Sequence, residues 1–228
     1  MIGFTGYKML NKNLLKQLIK EELDLSLSNS FDFDTFKNLK TLEEQIEYCS
    51  KFLSIVGEGG GRIVFDFDTN KVLKIAKAHT GYANGIEQNK KELKLYTKLH
   101  SIGIVPEIYD YDAKFKWILT EKINVLSFEN RDEIFNFTGL YWDEMEIVFY
   151  ELFGLYTPEQ ILNPQKYPKL KDEIEDLTDF GSDWRTNKNV LKLFKAIKAG
   201  VGAEEILVPS HLGTKQGSDE LVLVDYGF

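Results

Sequence analysis

The residues whose types and spacing could do chemistry begin in "VGEGGGRIVFDFDTNKVLKIAK", residues 56 to 77. Gly57 and Gly59 allow backbone conformations that other residues resist, and they let main-chain amides approach a triphosphate closely. Lys74 sits in "VLKIA", a strand-like run flanked by apolar residues, where a solvated lysine has little reason to lie. A lysine so placed, its ammonium held by a glutamate from the next helix, can grip α- and β-phosphates. The following segment offers Glu87 and Glu92. Glu92 is the better candidate, because Leu93 and Leu95 beside it mark the turn that meets a sheet. Asp225 in "LVLVDYGF" is a carboxylate at a strand end, a hard-oxygen ligand type for Mg²⁺ on ATP phosphates. Each feature alone also has a plainer reading: a glycine-softened hairpin turn, an exposed helical glutamate, an ordinary Asp-Tyr-Gly turn.

The elements that must position these groups can be read from periodicity. Residues 7 to 27 carry Leu10, Leu14, Leu15, Leu18 and Ile19 at helical spacing. Thr41 with Glu44 three positions on is a capping-box signature, and Leu42, Ile46, Cys49 and Leu53 give the helix that follows one apolar face. "RIVFDF" and "KVLKIA" flank the turn residues Asp68 and Asn70, which predicts a hairpin. "GIEQNKKELKLYTKLHSIG" predicts a helix with Ile86, Leu93, Leu95 and Leu99 on its apolar face, stopping near Gly103. "EIYDYD" and "KWILTEK" read as a second hairpin-like pair. From about residue 126 helical patterns dominate, in "YWDEMEIVFYELFGL", "PKLKDEIEDL" and "NKNVLKLFKAIKAG", before a final short hairpin through "ELVLVDYGF".

Composition narrows the functional classes. The 228 residues suffice for one large domain or two small lobes with a buried core. The net charge of −8 argues against general affinity for nucleic acid or an anionic membrane, since both need a cationic face. No run of about 18 apolar residues occurs, so no membrane span is expected. The start of the chain has no unbroken apolar stretch of the signal-peptide kind. The single cysteine, Cys49, excludes an internal disulfide and reads as core packing in a reducing compartment, which points to the cytoplasm. Three histidines and one cysteine do not support a structural zinc site. The aromatic content of 13%, interleaved with acids, reads as helical packing or a protein interface rather than base stacking.

Glycine loop, strand lysine, helix glutamate, hairpin and strand Asp-Tyr-Gly follow one another in the order of the protein-kinase-like fold. The set Gly57, Gly59, Arg62, Val64, Phe65, Lys74, Gln88, Asn89 and Glu92 resembles more closely the small kinase-like proteins encoded by bacteriophages. The resemblance covers residues 41–123 and 207–228. It implies an α+β, two-lobed fold: an N-terminal extension over 1–40, an antiparallel-sheet lobe over 41–123, and a minimal, mostly helical lobe over 124–228. It further implies ATP with Mg²⁺ as cofactor, with Lys74 and Glu92 as the catalytic pair and Asp225 holding the metal. Gly57, Gly59, Arg62, Val64, Lys74, Glu121 and Ile123 would bind the nucleotide. The backbone at Glu121 to Ile123 would meet the adenine edge, Arg62 would lie over the phosphates, and Val64 with residues near Ile75 and Leu223 would sandwich the base.

The pattern also departs from a working kinase. Laid back from Asp225, the catalytic-loop proline falls on Pro209, the proton-accepting position on Ile206, and the metal-binding asparagine on His211. Isoleucine cannot take a proton, and neutral histidine is a poor Mg²⁺ ligand. "DFGSDWRTNKN" offers Asp179, Asp183, Arg185 and Asn187, but a whole helix then intervenes before Asp225; Glu204 or Glu205 is a further substitute base. The chain given stops three residues after Asp225, which leaves no activation segment in view. Two classes are therefore expected. One is a nucleotide-binding, catalytically degenerate kinase-like protein used for structure or interaction, in a phage particle or against a host protein; the other is an active ATP-dependent phosphotransferase of unknown substrate.

Overall fold

The capping box read at Thr41 is formed: Thr41 Oγ1 accepts from Glu44 N at 3.1 Å and Glu44 Oε2 accepts from Thr41 N at 2.9 Å. It opens α2 (Leu42–Phe52), which follows the short α1 (Phe33–Asn38). These belong to the first of two units, Met1–Ser54 and Ile55–Phe228, in a computed structural model that describes residues 30–78, 84–167, 169–170, 172, 174 and 184–226. The helix expected over 7–27 and the "DFGSD" segment, with Asp179 and Asp183, lie outside the described residues, as does much of "PKLKDEIEDL". In the first unit Phe31 packs its ring on Phe36 and Tyr48, at centroid distances of 5.9 and 5.4 Å. Phe36 and Cys49 are fully buried there, and burial pushes the Cys49 thiol up to about 12, as a core cysteine requires.

The second unit is α+β. Its five-stranded sheet comprises β1 (Ile55–Glu58), β2 (Arg62–Asp68), β3 (Lys71–Ala76), β4 (Ile108–Tyr111) and β5 (Trp117–Glu121). The order is β1-β2-β3-β5-β4, and every pair is antiparallel. Asp68 Oδ1 accepts from Asn70 N at 2.8 Å, so the β2–β3 hairpin closes on the side chain that the sequence marked as a turn residue.

Register decides which side chains share a face. Val64 lies opposite Lys74, Arg62 opposite Ala76, and Lys74 in turn opposite Ile118. Directly opposed residues of a pleated pair point the same way, so Arg62, Val64, Val72 and Lys74 occupy one face. Phe65, Leu73 and Ile75 occupy the other, and all three are fully buried.

Between β3 and β4 runs α3 (Gly85–Ile102), started by Asn84, whose Oδ1 accepts from Glu87 N at 3.2 Å. It ends on Gly103, whose φ of 72° is the left-handed cap that glycine tolerates. The buried stripe differs from the one expected. Gly85, Asn89, Glu92 and Leu99 are buried, whereas Ile86, Leu93 and Leu95 are half-buried. Spacings of four, three and seven residues make one helical face, and it carries two polar groups where hydrophobic counting looks for leucines.

After β5 a strand not expected from the sequence, β6 (Ile123–Val125), pairs with β7 (Leu212–Lys215), which pairs with β8 (Leu221–Leu223). The helical part holds α4 (Ile134–Thr138), then α5 (Trp142–Glu146), which runs through a π turn (Ile147–Leu152) into α6 (Phe153–Leu155). It continues with α7 (Pro158–Leu162), α8 (Lys188–Ala199) and α9 (Ala203–Ile206). Trp142, Met145, Phe149, Trp184, Leu193 and Phe194 build its core together with Leu223. Among the described residues no helix is long and apolar enough to cross a membrane.

Candidate functional site

Strand β3 aims Lys74 at α3, and the buried stripe of α3 supplies Glu92. Lys74 Nζ lies 2.8 Å from Glu92 Oε1 and donates to the Val224 carbonyl at 2.6 Å. Glu92 is 1% exposed and Lys74 6%, so the pair is almost fully withdrawn from water. Burial works to raise the Glu92 carboxyl, but the Lys74 ammonium and the Arg62 guanidinium outweigh it and hold the group below the usual carboxylate range. Glu87, the other helical acid considered, is exposed and faces Lys90 at 3.5 Å.

The cleft in front of this pair has a volume of about 730 Å³. Gly57, Gly59, Arg62, Val64, Lys74, Glu121, Ile123 and Asp225 all line it, whereas Glu92 stands behind Lys74. Residues from β1, β2, β3, the β5–β6 junction and the segment after β8 thus converge on one space. Gly59 N donates to the Arg62 carbonyl at 3.0 Å and closes the loop tip. At Gly85 a Cβ would stand 2.0 Å from the Gly61 carbonyl oxygen and 2.8 Å from Ala76 Cα, so glycine is what lets α3 begin against the loop.

Ile75 and Leu223 are themselves fully buried, and the apolar wall near them is made by Val72 and by Val224, the neighbour of Leu223. Strand alternation explains Ile75, one residue out of phase with Lys74. At the β5–β6 junction, which lines the cleft as expected, Glu121 N donates to the Glu107 carbonyl and Lys122 N to the Asn70 carbonyl, each at 2.8 Å. Arg62 is turned inward rather than lying over the cleft. It is 5% exposed, donates to Asn89 Oδ1 at 3.2 Å, and bridges the carboxylates of Glu92 and Asp225. Asn89 is held in turn, donating to the carbonyl of Phe115, a non-glycine residue at a φ of 61°.

Opposite the glycine hairpin, Pro209–His211 forms a 3₁₀ turn before β7, and Ser210 and His211 line the cleft. His211 Nδ1 lies 3.1 Å from Glu205 Oε2. Burial, with Asp225 and Glu204 adding, pushes the Glu205 carboxyl up to about 7, while burial draws His211 below its ordinary value against the pull of Asp225. Ile206, at the position where a proton acceptor is needed, is a fully buried core residue. Asn187 is the N-cap of α8, its side chain accepting from Asn189 N at 2.8 Å, and Arg185 lies in the preceding 3₁₀ turn.

The carboxylates lining the cleft each face a cation. Glu58 lies 2.7 Å from Lys77, Glu121 lies 3.3 Å from Lys215, and Asp225 is bonded to Arg62. Among the described residues no group of three or more His, Cys, Asp or Glu side chains could hold a metal ion. Asp225, the carboxylate expected to hold Mg²⁺, is paired with the Arg62 guanidinium.

No family model and no curated protein matches the chain. Among solved structures the chain is similar to the streptomycin–ATP–APH(2″)-IIa ternary complex, at 13% identity and a TM-score of 0.34, over 83% of this chain and 71% of that one. It is similar to SAICAR synthase from Saccharomyces cerevisiae complexed with SAICAR, at 14% identity and a TM-score of 0.37, over 76% and 73%. It is also similar to an ethanolamine kinase of Plasmodium vivax, at 16% identity and a TM-score of 0.37, over 96% and 70%.

Proposed function

We propose that the chain is a kinase-like protein that binds a nucleotide polyphosphate of the ATP class in the cleft between the glycine hairpin and Asp225. The observation that carries this reading is the buried Lys74–Glu92 pair, 2.8 Å apart, on the wall of a cleft whose rim is a glycine loop. Keeping a lysine and a glutamate out of water is costly unless each is paired, and a buried pair rarely repays its own desolvation. Its place on the wall of an open cleft is accounted for if the ammonium serves a further anion. Val56, Val64, Val72 and Val224 supply an apolar wall for a base. Catalysis on this reading is degenerate, because buried Ile206 stands where a base belongs. The motif resemblance supports a phage source and a partner in host or virion.

Active phosphoryl transfer is the second reading. One observation favours it: His211, whose Nδ1 lies 3.1 Å from Glu205 Oε2, lines the same cleft, and an imidazole is a group of the kind that takes a proton.

The test is thermal unfolding with and without ATP. At ligand about 100 times its dissociation constant, linkage adds about 2.7 kcal/mol. For a unit of this size that is a rise of roughly 5–10 °C. An unchanged melting curve at millimolar ATP removes nucleotide binding from the account.

A further inference from the structure

We propose that Arg62 is the resident counter-ion of Asp225, so that the cleft takes a nucleotide polyphosphate with little dependence on a divalent cation. This rests on the nucleotide reading above and narrows it. Four charged groups form the cluster behind the cleft: Arg62 and Lys74 against Glu92 and Asp225. They balance to zero with no ligand present. A lysine–glutamate pair with an unpaired aspartate has one net negative charge, and a divalent cation supplies the balance when phosphates arrive. Here the guanidinium supplies it permanently, from a β2 position that the pairing of Arg62 with Ala76 sets beside Lys74 on the same face.

The surroundings leave little purchase for a metal. Mg²⁺ asks for near-octahedral oxygen ligation and is held by one or two carboxylates with phosphates and waters. Asp225, Glu58 and Glu121 are the carboxylates on the cleft wall, and each has a cationic partner: Arg62, Lys77 and Lys215. Arg62 cannot leave Asp225 cheaply, because its other nitrogen is held by Glu92 and Asn89 in a site 5% exposed. A guanidinium also presents several donors in a fixed fork, which suits phosphate oxygens as well as carboxylates. The polyphosphate therefore meets Lys74 and the edge of Arg62 beneath the glycine loop.

Two titrations on the full chain decide the matter. The first is calorimetric titration of ATP in excess EDTA and again in excess MgCl₂. The second is Mn²⁺ binding followed by electron paramagnetic resonance with no nucleotide present. Wild type should bind ATP with dissociation constants within about threefold in the two buffers and bind Mn²⁺ only weakly. Arg62→Gln, which frees Asp225, should bind Mn²⁺ about tenfold more tightly and lose about tenfold in ATP affinity when EDTA replaces MgCl₂, each tenfold being a difference well within calorimetric reach. Arg62→Lys keeps a buried cation that cannot bridge both carboxylates, and it should fall between the two if Arg62→Gln fails to fold. ATP binding by wild type that vanishes in EDTA overturns the inference and leaves the nucleotide reading standing. No ATP binding in either buffer ends the nucleotide reading instead. Tight Mn²⁺ binding by wild type, unchanged in both variants, overturns the role of Arg62 whatever ATP does.

Discussion

Replacing Glu92 by glutamine should be the most damaging single change of charge in the protein. Glu92 holds Lys74 through one carboxylate oxygen and Arg62 through the other, and the three residues are 1%, 6% and 5% exposed. Removing one partner of a buried pair costs about 3–5 kcal/mol, because the remaining charge stays buried and uncompensated. Here one substitution strips two cations at once, which places the expected loss at the upper end. Only Asp225 then remains to balance Arg62 and Lys74. At about 2–4 °C per kcal/mol for a unit of this size, the melting temperature should fall by roughly 6–20 °C. Lys74→Met should cost less, since Glu92 then keeps Arg62. The double variant Lys74→Met, Glu92→Gln should be more stable than Glu92→Gln alone, because it removes a cation that the first change orphaned. Urea unfolding followed by circular dichroism measures all three on one scale, with neighbours in a network expected to couple by about 0.5–3 kcal/mol. A Glu92→Gln cost below about 1 kcal/mol, or a double variant worse than both singles, would refute the cluster as the electrostatic centre of the site.

Other perturbations separate the parts of the site. Gly85→Ala should destabilise by about 1–3 kcal/mol and weaken ATP binding, because its Cβ meets backbone at 2.0 Å. Gly61→Ala meets only the Gln88 side chain, at 2.4 Å, and should be milder; equal costs measured in urea would contradict the loop–helix contact. Glu205, raised from an ordinary 4.5 to about 7, binds its proton more tightly folded than unfolded, so its contribution to stability declines as pH rises through that window. Glu205→Gln should therefore gain on wild type between pH 5 and pH 8 in paired melting curves, and a constant difference would contradict the assignment. Asn187→Ala should cost about 1 kcal/mol through loss of the α8 cap while leaving ATP affinity unchanged, and a lost affinity in calorimetry would return that segment to the site.

The site was legible in the sequence where a polar residue sat in surroundings that gave it no plain reason to be there. Lys74 between apolar residues and Asp225 at a strand end stand out in this way, and the structure sets them on one cleft with Glu92 behind. Its leucine neighbours favour Glu92 over Glu87, yet the buried stripe of α3 runs through Gly85, Asn89 and Glu92 themselves. A helix that buries charge to meet a strand lysine does not announce that face by hydrophobicity. The inward turn of Arg62 was not legible, because it depends on the register that pairs Arg62 with Ala76 and on partners 30 and 163 residues away. The same parity moved the apolar wall from Ile75 to Val72. Strand β6 is three residues long and exists because β7 pairs with it, a long-range partnership that local pattern does not carry.

The most direct test of the central claim is calorimetric titration of ATP into wild type and into Lys74→Met, both checked for folding by circular dichroism. The account predicts saturable one-site binding to wild type and a loss of about tenfold or more in affinity when the ammonium is removed, the scale of a charged hydrogen bond of about 1.5–3 kcal/mol. Absence of saturable heat from folded wild type at millimolar ATP, or equal affinity in the two proteins, would contradict it.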